Sequence, residues 1–127
     1  MAKPVILAVD DDPQVLAAVR RDLRSKYAGD YQILAAPGGG EALGIVDELA
    51  EGGRTIAAFV VDQRMPDMTG TEFLIRAQES FPEAKRLLLT AYADTEAAIQ
   101  AINEVGLDHY LQKPWTPAEE RLYPVLD

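Results

Sequence analysis

Cysteine is absent from the 127-residue chain, which excludes disulfide frameworks, thiolate metal sites and thiol nucleophiles. A single histidine cannot build a histidine-rich metal centre. The opening Met-Ala-Lys-Pro has no long apolar run behind it, so neither a signal peptide nor a membrane span is read, and the expected compartment is the cytoplasm. Basic residues are in deficit: 12 Lys and Arg stand against 21 Asp and Glu. The resulting formal charge of −9 repels phosphate backbones and counts against direct nucleic-acid binding, although much of it serves the ordinary solubility of a small domain. There is no internal repeat and no low-complexity tract. A chain of this length is one domain that can bury a single core without cross-links.

What is present is organised around Phe59-Val60-Val61-Asp62-Gln63-Arg64-Met65-Pro66. An apolar, β-branched run ends abruptly in a carboxylate, and the Met-Pro step soon after it forbids continuation as a strand interior. Asp62 is therefore expected at the tip of a buried strand. There it can act as a nucleophile, a metal ligand or a turn cap.

The flanking chain reads as alternating strands and helices. Pro4 to Val9 is a continuous apolar run, as in a strand covered on both faces. Asp12-Pro13 then gives an N-cap with proline in the first helical turn, and Leu16, Val19, Leu23 and Tyr27 follow at helical spacing. Tyr31 to Ala35 is a second strand. The Pro37-Gly38-Gly39-Gly40 loop enters a helix carrying Ala42, Leu43, Val46 and Leu49, which Gly52-Gly53 ends. Ile56 to Val61 is the third strand; after Gly70, Phe73, Leu74 and Ala77 mark a third helix closed by Pro82. Lys85 to Leu89 is a fourth strand ending at Thr90, and Asp94 or Thr95 caps a helix with Ala98, Ile99 and Ile102 that stops at Gly106. Leu107 to Leu111 is a fifth strand, and a last helix begins near Pro117. The abrupt ending, with Pro124 among uncovered apolar residues, reads as a cut from a longer protein.

Such alternation implies right-handed crossovers and a parallel sheet with helices on both faces, whose functional crevice lies beyond the carboxyl ends of the strands. Asp10 and Asp11 follow strand one, Asp62 strand three, Thr90 strand four and Lys113 strand five. Taken singly, each has a plain account: Asp12 is a cap, Asp10 or Asp11 turn chemistry, Thr90 a strand-end hydroxyl, Lys113 a solvated charge. His109 is read as structural, and Met65, Met68 and Trp115 as packing. Together, the converging carboxylates repel one another, so a bound cation is the simplest means of keeping them all ionised. An all-oxygen site suits a hard ion such as Mg2+, which favours octahedral coordination at about 2.0–2.1 Å. With a lysine and a hydroxyl opposite, the set is complete for phosphoryl transfer onto a carboxylate.

Four motifs then carry a resemblance that covers essentially the whole chain: Val-Asp-Asp-Asp-Pro at 9 to 13, Val-Asp-Gln-Arg-Met-Pro at 61 to 66 followed by Gly70, Leu-Thr-Ala-Tyr at 89 to 92, and Tyr-Leu-Gln-Lys-Pro at 110 to 114. In this order they resemble the receiver domain of two-component response regulators. The resemblance implies a flavodoxin-like α/β fold, three-layered, with a five-stranded parallel sheet and five helices on both faces. It implies that Asp62 accepts a phosphoryl group from a histidine kinase, with Mg2+ as cofactor held by Asp11, Asp62 and the backbone carbonyl of Arg64, and by Asp10 mostly through water. Thr90 and Lys113 would contact the phosphoryl oxygens, with Lys113-Pro114 a cis bond. Tyr110 would be the aromatic switch. The partners implied are a sensor histidine kinase or phosphotransfer protein, and an output domain or protein, reached through the face of helix four, strand five and helix five. A homodimer would also be compatible with the resemblance. Arg64 and Tyr92, two positions beyond Asp62 and Thr90, flank the approach of a hydrolytic water and are expected to tune the phosphoryl lifetime. A domain of this kind is a regulatory phosphoacceptor that catalyses only its own phosphorylation and dephosphorylation.

More narrowly, Asp-Gln-Arg-Met-Pro, Leu-Thr-Ala-Tyr-Ala-Asp-Thr and the tail from Lys113 to Leu126 resemble receivers fused ahead of a thioredoxin-reductase-like flavoprotein. Two other classes share parts of the pattern. A phosphohydrolase with an aspartyl-phosphate intermediate places a second acid two positions after its nucleophile, where this chain has Arg64. A receiver-like interaction module would keep the fold and work without phosphorylation.

Overall fold

A computed structural model of the chain describes residues 3–63, 65–90 and 109–112. Among them, β1 (Val5–Val9), β2 (Gln32–Ala36), β3 (Ile56–Asp62), β4 (Lys85–Thr90) and β5 (His109–Gln112) form one sheet in the order β2-β1-β3-β4-β5, with every neighbouring pair parallel. Three helices are described: α1 (Pro13–Tyr27), α2 (Gly39–Glu51) and α3 (Gly70–Ala77). The expected fourth and fifth helices, Trp115 and the Lys113-Pro114 bond lie outside the described residues. Some expected bounds shift by a residue or so: β2 begins at Gln32 because Tyr31 N–H still bonds the Tyr27 carbonyl (2.8 Å), and α2 takes in Gly39 and Gly40; α3 differs more, ending at Ala77 with Gln78 as its C-cap, well short of the Pro82 expected to close it. His109 opens β5, the strand expected to contain it.

Each central strand is buried on both sides, and its alternate residues divide between two cores. Val5, Leu7, Val9, Phe59, Val61 and Leu88 pack with Ala42, Val46 and Leu49 of α2 and with Phe73, Leu74 and Ala77 of α3. Ile6, Ala8, Ala58, Val60 and Leu87 face the other way, onto Val19 and Leu23 of α1. This explains why the strands read as continuous apolar runs rather than as alternating ones. Phe59 and Phe73, both fully buried, meet edge to face with centroids 5.6 Å apart. Met65 is buried in the same core and Met68 packs against it, as packing residues should.

The helices start where their sequences provide caps. Asp12 accepts hydrogen bonds from Gln14 N (2.9 Å) and Val15 N (3.4 Å), and Pro13 in the first turn has no N–H to leave unbonded. Thr69 accepts from Glu72 N (3.1 Å), with Glu72 in the acidic first turn of α3. No helix among the described residues is long and apolar enough to cross a membrane.

Replacing Asp12 with Ala is expected to cost about 1 kcal/mol, seen as a lower urea midpoint at unchanged slope. Identical midpoints for the two chains would show that the cap contributes nothing.

Candidate functional site

In a sheet ordered β2-β1-β3-β4-β5 the chain leaves β1 to one side and returns for β3 on the other, and the crevice opens at the carboxyl ends of these two strands. Register decides which side chains meet there. Val5 pairs with Ile56, but Ile6 pairs with Ala58, so Ala57 is an extra residue in β3. The bulge has two consequences. Ile56 and Ala58, which a regular strand would put on one face, pack into opposite cores. It also advances β3 by one position, so that Val9 pairs with Val61 and the next residues, Asp10 and Asp62, stand level. Without the extra residue Asp10 would stand beside Val61 instead.

The carboxylates of Asp10, Asp11 and Asp62 each offer an oxygen within 4.8 Å of the others. Asp10 and Asp62 are buried, at 1% and 5% exposure, while Asp11 is open to solvent. One Asp10 oxygen accepts the Asp12 N–H (2.9 Å), which orients the acid and ties it to the cap of α1. Like charges held this close repel one another, and a divalent cation among them would relieve that repulsion. The donor set is hard, all oxygen and spaced so that one octahedral shell can span it. These residues therefore fit a divalent metal.

The segment after Asp62 is held on all sides. The Gln63 side-chain oxygen accepts both the N–H (3.0 Å) and the hydroxyl (2.9 Å) of Thr71, and the Gln63 carbonyl accepts Gly70 N–H (3.0 Å). Both side chains are buried, so the bonds replace water that could not reach them. Gly70 comes so close to the tip of β3 that a Cβ there would lie 2.5 Å from the Asp62 carbonyl oxygen and 2.8 Å from Leu88 Cδ1. Only glycine lets α3 begin there. Asp67 reaches from the middle of the segment to the start of α2, accepting Gly40 N–H at 2.7 Å and Gly39 N–H at 3.3 Å. The N-cap of α2 is Gly38, which has no side chain to cap with, so Asp67 does it from a distance. The Gly40 N–H above all, against some desolvation and with Gly39 N–H adding to it, holds the Asp67 carboxyl below its ordinary value of 3.8.

Of the residues singled out from sequence, Asp10, Asp11 and Asp62 are brought together. Thr90 closes β4 one position beyond Leu89, the partner of Asp62, and pairs with Gln112; Tyr110 pairs with Leu88. Lys113, Arg64 and Tyr92 lie outside the described residues. Gln63 and Asp67 were not foreseen. The run Gly38-Gly39-Gly40 carried a signal for Asp67, since a helix that starts on glycines must find its cap elsewhere.

The profile of the response regulator receiver domain matches residues 6–123. The chain belongs to that family. The receiver is 36% identical over 112 residues to the hydrogenase transcriptional regulatory protein HoxA of Bradyrhizobium diazoefficiens, covering 88% of this chain and 21% of HoxA. It thus spans about a fifth of the length of the two HoxA proteins it matches, from Bradyrhizobium diazoefficiens and Cupriavidus necator (21% each). Among solved structures it is similar to the chemotaxis protein CheY4 of Vibrio cholerae, with a TM-score of 0.80 at 27% identity over 98% of this chain and 97% of that one. It is also similar to a response regulator from Burkholderia pseudomallei, solved with a phosphorylated aspartic acid, a calcium ion and citrate: the TM-score is 0.75 at 26% identity, over 98% of this chain and 67% of that one. The receiver is accordingly a regulatory domain of two-component signalling, a family in which phosphorylation on aspartate is typical.

Because the folded carboxyl of Asp67 is below its ordinary value, its contribution to stability is fully present above pH 3.8 and is lost as pH falls through the lowered folded value. Asp67→Ala should therefore lower the unfolding midpoint at pH 6 to 7, and the gap to the parent should narrow as the solution is acidified towards pH 3. A gap that stays constant over this range would contradict the assignment.

Proposed function

We propose that Asp62 accepts a phosphoryl group from the phosphohistidine of a sensor kinase or phosphotransfer protein. The observation that carries this reading is the approach of the Asp10, Asp11 and Asp62 oxygens to within 4.8 Å at the paired ends of β1 and β3. An Asp62 carboxylate oxygen attacks phosphorus, the N–P bond of the donor breaks, and the electron pair leaves with the imidazole. The product is an acyl phosphate on Asp62. Asp11, Asp62 and the Arg64 backbone carbonyl would hold Mg2+, with Asp10 acting mostly through water. When bound, the ion supplies positive charge to the transferring oxygens, which is most of what a protein must provide for this chemistry. The Burkholderia pseudomallei regulator, solved with a phosphorylated aspartic acid and a calcium ion, supports this reading.

Thr90 and Lys113 complete the contacts to the phosphoryl oxygens. Thr90 is drawn towards them, Tyr110 turns into the volume vacated, and the surface of helix four, strand five and helix five changes for an output domain or partner. In this scheme the domain catalyses only its own phosphorylation and dephosphorylation. It serves as one module of a longer protein in the cytoplasm, and a homodimer through the same surface is compatible with it. The resemblance to flavoprotein-linked receivers rests largely on the tail from Lys113 to Leu126, outside the described residues.

Asp62→Asn should abolish Mg2+-dependent labelling by acetyl phosphate while the circular dichroism spectrum stays that of the parent; undiminished acid-labile phosphate in the variant would refute the assignment. Arg64→Ala and Tyr92→Ala should shorten the phosphoryl half-life by opening the path of the hydrolytic water. Unchanged half-lives in both would remove these residues from that role.

A further inference from the structure

Three ties restrain the segment between Asp62 and α3. At its start, Gln63 is bound by Thr71 and Gly70. In its middle, Met65 is sunk in the core shared with α2 and α3. Towards its end, Asp67 clasps the Gly39 and Gly40 amides. The side chain of Met68 also sits where the first turn of α2 is thinnest: a Cβ on Gly39 would lie 2.4 Å from its Cγ. So residues 67 and 68 are fitted to α2 by a polar clasp and by a close apolar contact that glycine alone permits.

We infer that Asp67 is a positioning residue for the metal site, anchoring to α2 the segment that follows Asp62. This rests on the reading of the acid cluster as a Mg2+ site that the segment would complete with a backbone oxygen. Mg2+ demands near-ideal octahedral geometry, so a ligand supplied by a segment must be in place before binding or be ordered at the expense of affinity. Two of the ties, Gln63 and Met65, hold the near part of the segment. Asp67 is the polar anchor of the far part, and its partner is a helix that contributes no ligand. Cutting it leaves Asp10, Asp11 and Asp62 on their strands while freeing from α2 the part of the segment beyond Met65. Loss of an outer-shell partner of this kind typically weakens a metal by about tenfold or more.

Capping of α2 and positioning of the segment can be separated. Gly38 is extended (φ −168°, ψ 168°), and the nearest atoms to a Cβ there are those of the Asp67 carboxylate at 3.4–3.7 Å, which truncation of Asp67 removes. Serine at 38 can therefore cap α2 locally without tying it to the segment. The experiment measures Mg2+ affinity by isothermal titration calorimetry and thermal midpoints by circular dichroism, using the full chain. The forms compared are the parent, Asp67→Ala, Asp67→Asn and the double variant Asp67→Ala with Gly38→Ser.

Asp67→Ala should raise the Mg2+ Kd about tenfold and lower the midpoint. The double variant should regain the midpoint but not the affinity. Asp67→Asn, which keeps one acceptor oxygen and folds even if the alanine form does not, should show a smaller rise in Kd. A parental Kd in Asp67→Ala or in Asp67→Asn, or recovery of Kd together with the midpoint in the double variant, overturns the inference and leaves the Mg2+ site standing. Absence of Mg2+ binding by the parent overturns both.

Discussion

Mutual repulsion among three carboxylates is the constraint on which this structure turns. Asp10 and Asp62 are buried side by side with Asp11 at their edge, and nothing in the folding of an ordinary sheet favours that. Two features enforce it: the apolar strands β1 and β3 are too deeply packed to move apart, and a one-residue bulge at Ala57 sets their ends level. The fold thus sets an electrostatic demand that a divalent cation can satisfy.

The surroundings of the cluster serve that arrangement. The Asp12 cap starts α1 and gives its own N–H to Asp10, so a helix start and an acid share one turn. Gly70 lets α3 begin against the Asp62 carbonyl, and Gln63 fills the buried corner this creates. Asp67 and Met68 then bind the segment to α2. Both helices packed on one face of the sheet, α2 and α3, are in this way joined to the chain that leaves β3.

Much of this was legible from residue order because it depends on local chemistry. Continuous apolar runs marked strands covered on both faces, Asp12-Pro13 marked a helix start, and a parallel sheet put the acids after the first and third runs at the same edge. The positions that escaped depend on contacts between distant segments. Nothing in Thr55-Ile56-Ala57-Ala58 distinguishes a bulge from a regular strand, since alanine suits either face. The two amides that Asp67 binds lie 27 and 28 positions away in sequence, and Gln63 meets Thr71 only once α3 is in place. The roles of Thr90, Tyr110 and Lys113 belong with the proposal for Asp62.

The central claim is that one carboxylate of the three is the phosphoacceptor and that the other two serve the metal. Mapping the acyl phosphate tests it most directly. After incubation with acetyl phosphate and Mg2+, borohydride reduction converts a phosphorylated aspartate to homoserine, which tandem mass spectrometry locates. The account predicts homoserine at position 62 alone and none when Mg2+ is withheld. Homoserine at position 10 or 11, or at 62 to the same extent without Mg2+, would contradict it.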